Sequence, residues 1–177
     1  KSSGRKRFDL FDETLHEQAS QALDLENDLC RALPRHEFTP YYQSIVQLDN
    51  GKTIGFEALI RWQHPVRGIL KPIDFIDVAV DTGNIDAMDW QIYEQVCKDS
   101  HSHIFKESYI TLNVSASHLR SVNFAERFLS LLDQYKVKTK SIRLEITERA
   151  LLENPEQVHA CLLTLQQHGV DTLLDDF

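Results

Sequence analysis

No apolar run in the 177 residues approaches the length of a membrane-spanning helix, and no signal-type segment opens the chain. The expectation is a soluble, cytoplasmic chain, with any tether to the inner membrane lying elsewhere in a longer parent. Cysteine is scarce: Cys30, Cys97 and Cys161 are odd in number, far apart, and lack metal-ligand spacing. That excludes a disulfide framework and a cysteine zinc site, and leaves reduced thiols. Six glycines and five prolines are too few for a collagen-like or low-complexity chain, and no internal repeat is visible. Positive charge is also short, with 19 Lys and Arg against 27 Asp and Glu, for a net charge of −8. A basic face for nucleic acid polymers is therefore not expected. An anionic substrate would need metal ions or a local arginine to offset the field.

What is present suits one globular domain with a sizeable core. Residues 1–11 turn from basic to apolar and read as the last strand of something upstream. From Asp12 to Leu33, the spacing of Leu15, Ala19, Ala22, Leu29 and Leu33 predicts a helix, capped by Asp12 and stopped by Pro34. It is either a plain connecting helix or a signalling helix between domains. Phe38–Leu48 and Thr53–Trp62 read as strands, and Asn50-Gly51 between them predicts an antiparallel hairpin. One helix is expected over Pro72–Asp81, ended by Gly83, and another over Ile85–Ser100. Strands at Tyr109–Val114, Ser141–Thr147 and Val170–Leu174 then alternate with helices at Ala116–Leu119, Phe124–Tyr135 and Pro155–His168. Such alternation predicts an α/β fold with a largely parallel sheet and five strands. Because Phe177 follows the last strand directly, the chain reads as part of a longer protein.

Four of the strand-like runs carry an acid or amide where a buried strand should have none: Glu57, Asn113, Glu145 and the pair Asp175-Asp176. Side chains alternate faces along a strand. Ile110, Leu112 and Val114, like Ile142, Leu144 and Ile146, form an apolar face suited to helix packing. The opposite face turns polar near the C-terminal end, which is the active end of a (β/α) barrel. Buried carboxylates persist when paired or bound to metal, and oxygen ligands without His or Cys suit a hard cation. Taken singly, each has a plainer reading: Glu57 paired with Arg61, Asn113 as a cap, Glu145 paired with Arg143. Recurrence at one topological level is what favours a site. His101 and His103 read as solvated surface, His64 as a loop cap or substrate contact, and Trp62 as packing or a guanine platform.

The runs YYQSIVQL, IGFEALIRWQHPVRG, DFI, TGNID, LNVSASHL, LEITERALL and LLDDF resemble, in order and spacing, the EAL-domain family of bacterial cyclic di-GMP phosphodiesterases. The opening GRKRFDLFD is similar to the tail of a GGDEF domain. The resemblance implies three parts: 1–11, the end of an upstream GGDEF domain; 12–34, a linker helix; and 35–177, the N-terminal part of an EAL domain. It implies a TIM-like (β/α) barrel with one antiparallel strand, cut after about the fifth strand. It also implies two divalent cations, Mg2+ or Mn2+. Glu57, Asn113, Glu145 and Asp175 would hold the first, with Asp175 bridging to a second held also by Asp176. Arg61 would contact a substrate phosphate, Gln43 and Leu59 the nucleotide, and Glu148 would fix the loop after the acidic pair.

The implied reaction opens one phosphodiester of cyclic di-GMP to give linear pGpG, in a parent that pairs through its EAL domains and answers to a GGDEF or sensor domain. Ser44 stands where the family commonly has Pro, and Asp77–Asp81 (DVAVD) where it has Pro-Leu-Ala-Glu-Glu. A lysine, a glutamate ligand of the second metal and a late glutamine would follow Phe177, so these 177 residues alone are expected to be weakly active or inactive. The alternative is a non-catalytic EAL receptor for cyclic di-GMP.

Overall fold

The computed structural model describes residues 13–175, with side chains from residue 23. The expected upstream strand at 1–11, the Asp12 cap, and Asp176 lie outside the described residues. Helix α1 (Glu13–Ala32) buries Leu25, Leu29 and Ala32, one face at helical spacing. A 3₁₀ turn over Leu33–Arg35 carries the stop at Pro34, and His36 then takes a left-handed φ of 52°. The chain enters β1 (Phe38–Val46), which pairs antiparallel with β2 (Thr53–His64) as the Asn-Gly turn predicts. Gly51 has φ 67° there, and its N–H donates to the Gln47 carbonyl at 2.8 Å.

A short strand, β3 (Gly68–Leu70), pairs back on the end of β2 and was not expected. Three residues are too few to show a period. The single helix expected over Pro72–Asp81 is instead a 3₁₀ turn (Pro72–Asp74) followed by α2 (Ile76–Asp81). The break is Phe75, which leaves helical geometry (φ −146°, ψ −12°) and packs its ring 5.9 Å from Phe38 and 5.6 Å from Trp62. Burying that aromatic outweighs one continuous helix.

The rest follows the expected alternation: α3 (Ile85–Asp99), β4 (Tyr109–Asn113), α4 (Ala116–Arg120), α5 (Phe124–Gln134), β5 (Ile142–Thr147), then α6 (Glu148–Leu152), a short helix that was not expected, α7 (Pro155–Gln167) and β6 (Asp171–Asp175). The sheet runs β1-β2-β4-β5-β6 with β3 beside β2, and the pairs β2–β4, β4–β5 and β5–β6 are parallel. There are thus six strands among the described residues, not five. Ala58, Ile110, Leu112, Val114, Ile142, Leu144 and Ile146 line the helix-covered face and are buried with Met88, Val96, Phe128 and Leu165. That packing leaves the other face, and the C-terminal strand ends, to the polar residues. No described helix is long and apolar enough to cross a membrane.

Candidate functional site

Asn113, Glu145 and Asp175 sit at or near the C-terminal ends of β4, β5 and β6, and Glu57 sits near the end of the stretch of β2 that pairs in parallel with β4. Across β2 and β4, Glu57 is level with Thr111; across β4 and β5, Asn113 is level with Glu145; across β5 and β6, Thr147 is level with Asp175. The row therefore steps forward by two residues at alternate strands, as tilted barrel strands require. Glu57 and Asn113 touch: the Asn113 amide donates to Glu57 Oε1 at 3.2 Å. Its amide oxygen is left for another partner.

Glu145 is half-buried, and its carboxyl is pushed up, first by burial and then by the charges of Glu57 and Asp175. Thr111 beside it pulls the other way, although the buried Thr111 hydroxyl makes no well-aligned hydrogen bond. Like charges thus press on Glu145 from both sides along the sheet. Among the described residues, no three His, Cys, Asp or Glu side chains stand close enough to form a finished metal cage. The carboxylates form a row rather than a closed cluster, and the amide of Asn113 and the undescribed Asp176 stand outside that count. The chemistry of the donor set fits a hard divalent cation: oxygen ligands only, carrying mutual repulsion that a cation would relieve.

Gln43 is exposed on β1 directly across from Glu57, and Leu59 lies across from Tyr41. Arg61, two residues further out, donates to the Ile60 carbonyl at 2.8 Å, and its guanidinium lies 5.7 Å from the Tyr41 ring centre. It is not bonded to Glu57, so the simple ion-pair reading fails. A cavity of about 500 Å³ lies between β2 and β4 and the helices α2 and α3, lined mostly by the helix-covered face (Ala58, Ile60, Leu112, with Ile92) and reached past Glu57, Leu59, Asn113 and Thr147 at its edge. That size suits a small ligand.

The other expected residues divide clearly. Glu148 is exposed at the first position of α6, three residues past Glu145. Asp175 is exposed at the end of β6. Arg143 pairs with Asp171 at 3.7 Å and lies 3.6 Å from the Tyr109 ring centre, so it is not the partner of Glu145. Trp62 is fully buried and donates to Glu37, which makes it a packing residue. His64 caps its loop: its Nδ1 accepts from Val66 and Arg67, and Nε2 faces Asp28 at 3.2 Å. His101 and His103 are exposed. Cys30, Cys97 and Cys161 are unpaired.

One polar cluster beside the site was not foreseen: Asp86, Asp89, Ser117 and His118, with Tyr93. Tyr93 donates to the Asn113 carbonyl at 3.0 Å. Burial pushes the Asp89 carboxyl up to about 8, with Asp86 adding to the shift and Ser115 opposing it. Burial pushes His118 down, against the attraction of Asp86. The only sequence signal was a histidine five residues after Asn113, on a short helix.

The EAL domain family model matches residues 26–177. The chain belongs to the EAL domain family. This EAL chain is 33% identical over its whole length to the cyclic di-GMP phosphodiesterase NbdA of Pseudomonas aeruginosa, covering 23% of that protein. It is 34% identical over 152 residues to RocR, a cyclic di-GMP phosphodiesterase of the same organism, covering 85% of this chain and 39% of RocR. Thus it spans only a quarter to two-fifths of these relatives. Among solved structures it is similar to the PaMucR phosphodiesterase in complex with c-di-GMP, with a TM-score of 0.79 and 29% identity over 87% of this chain and 64% of that one. The EAL enzyme Bd1971, in its cAMP- and cyclic-di-GMP-bound form, gives a TM-score of 0.79 at 27% identity, over 90% of this chain and 45% of that one. The sheet is accordingly part of a TIM-like barrel in which β1 runs against the parallel strands, with the short β3 added antiparallel to β2 off the main strand order.

Proposed function

We propose that this EAL chain carries the first metal site of a phosphodiesterase that hydrolyses cyclic di-GMP to linear pGpG. The observation that carries the reading is the Glu57–Asn113 contact at the strand ends, in line with Glu145 and Asp175. Its similarity to proteins named cyclic di-GMP phosphodiesterases supports the choice of substrate.

Glu57, Asn113, Glu145 and Asp175 would hold one divalent cation, Mg2+ or Mn2+, and Asp175 with Asp176 would begin a second site. Bound cations supply Lewis-acid activation of the phosphate and lower the pKa of water. The chain's own residues bind and orient. Arg61 stands two positions out from Leu59 and offers forked donors to a phosphate. Gln43 and Leu59 border the nucleotide, and Glu148 steadies the loop after the acidic pair. Water adds to one phosphorus, one P–O3′ bond breaks, and the product carries a 5′-phosphate and a free 3′-hydroxyl. In the whole protein we place this chain after a GGDEF or sensor domain, in an EAL–EAL pair.

The test is turnover by the full-length protein. With Mg2+ or Mn2+, chromatography should show cyclic di-GMP converted to pGpG, and Glu57→Ala or Asn113→Ala should lower kcat by at least about a hundred-fold, as loss of a metal ligand would. A protein that binds both metal and nucleotide without producing pGpG would be a receptor instead.

A further inference from the structure

The segment that follows Asn113 is tied to α3 at three levels. Nearest the site, the Tyr93 hydroxyl donates to the Asn113 carbonyl at 3.0 Å. Further along, the Ser117 hydroxyl donates to Asp86. Deepest is His118, whose side chain is 3% exposed, with Nδ1 3.9 Å from Asp86 Oδ1 and Nε2 3.4 Å from Asp89 Oδ2. Its ring stacks on Phe124 at 4.9 Å and 19°, with the edge of Trp90 5.5 Å away. A pure packing role would be met by an apolar ring. Instead a buried imidazole faces two carboxylates, and neither Asp89 Oδ2 nor His118 Nε2 has a well-aligned hydrogen bond to anything among the described residues. The two atoms face each other at 3.4 Å, so each is the buried polar neighbour that the other has.

We propose that His118, held between Asp86 and Asp89, is a positioning residue that sets the Asn113 amide against Glu57. This rests on the metal-site reading above. His118 touches neither metal nor substrate; it acts through the seven-residue stretch from Asn113 to Leu119 and the three ties to α3.

The test titrates Mn2+ alone into the full-length protein by calorimetry, with heat unfolding of the metal-free protein followed in parallel. Four forms are compared: wild type, Asn113→Ala, His118→Ala and His118→Phe. The phenylalanine keeps the ring stacked on Phe124 and removes the nitrogens. Positioning through the nitrogens predicts Mn2+ binding about ten-fold or more weaker in both His118 variants, with cooperative unfolding retained. It also predicts that kcat falls while KM for cyclic di-GMP changes little. A folded His118→Phe protein with wild-type Mn2+ affinity overturns the proposal. Should both His118 variants fail to fold, Asp86→Asn decides: its side chain is 47% exposed, so folding survives, and Mn2+ affinity must fall several-fold or the proposal is wrong. If Asn113→Ala binds Mn2+ as tightly as wild type, the metal-site reading itself fails.

Discussion

At the scale of single residues, the strand-end donors were visible because a polar side chain interrupts an apolar strand, and that interruption needs no tertiary knowledge. Glu57, Asn113, Glu145 and Asp175 all announce themselves this way. Asp86, Asp89 and His118 do not. A polar residue on an amphipathic helix normally marks the solvated face, and only the packing of α3 against α4 turns Asp89 and His118 inward, with Asp86 half-exposed at the rim.

Asp89 gives a prediction with a definite sign. Its folded pKa, near 8, lies above its ordinary value of 3.8, so between those values the folded state holds a proton that the unfolded state has lost. Stability therefore falls as pH rises through that window. His118 shifts the opposite way from 6.5, and its contribution is complete above that value. Between pH 6.5 and about 8 the metal-free wild type should lose melting temperature with rising pH, while Asp89→Asn should be nearly flat. Parallel curves for the two proteins would show that Asp89 is not the group responsible.

At the scale of elements, close approach explains more than propensity. Gly55 lies in β2 against Tyr109 of β4, and a Cβ at position 55 would come within 2.5 Å of the tyrosine ring. That ring also carries Arg143, so it has little freedom to move. Gly55→Ala should cost about 1–3 kcal/mol by overpacking, read as a lowered midpoint in urea. The same change in a Tyr109→Ala background should cost much less; an equal cost in both backgrounds would exclude the clash. The helix α1 gives a second test. Leu29 is fully buried on the core-facing side of α1, which packs against α2, and Leu29→Ala should destabilise by about 2–5 kcal/mol. A smaller loss would mean that α1 is only loosely docked.

Most element boundaries were readable from the sequence. The Asn-Gly hairpin and the βα succession follow from local turn chemistry and period. The short β3 and the break at Phe75 were not, because one is shorter than any period and the other is decided by a three-ring cluster assembled from distant segments.

At the scale of the whole molecule, the sheet gathers negative groups at one end, and the fold bears that repulsion without a counter-charge of its own among the described residues. A cation that binds the folded state alone must stabilise it by mass action, by about 2.7 kcal/mol at a hundred times its dissociation constant. The melting temperature should therefore climb with Mn2+ in the wild type and stay level in Asn113→Ala. The most direct test is a crystal structure of the full-length protein soaked in Mn2+, read by anomalous scattering at the manganese edge. The account predicts a peak at the strand ends with oxygen contacts of about 2.1 Å from Glu57, Asn113, Glu145 and Asp175. A strong peak elsewhere on the chain, with those four side chains unliganded, would contradict it.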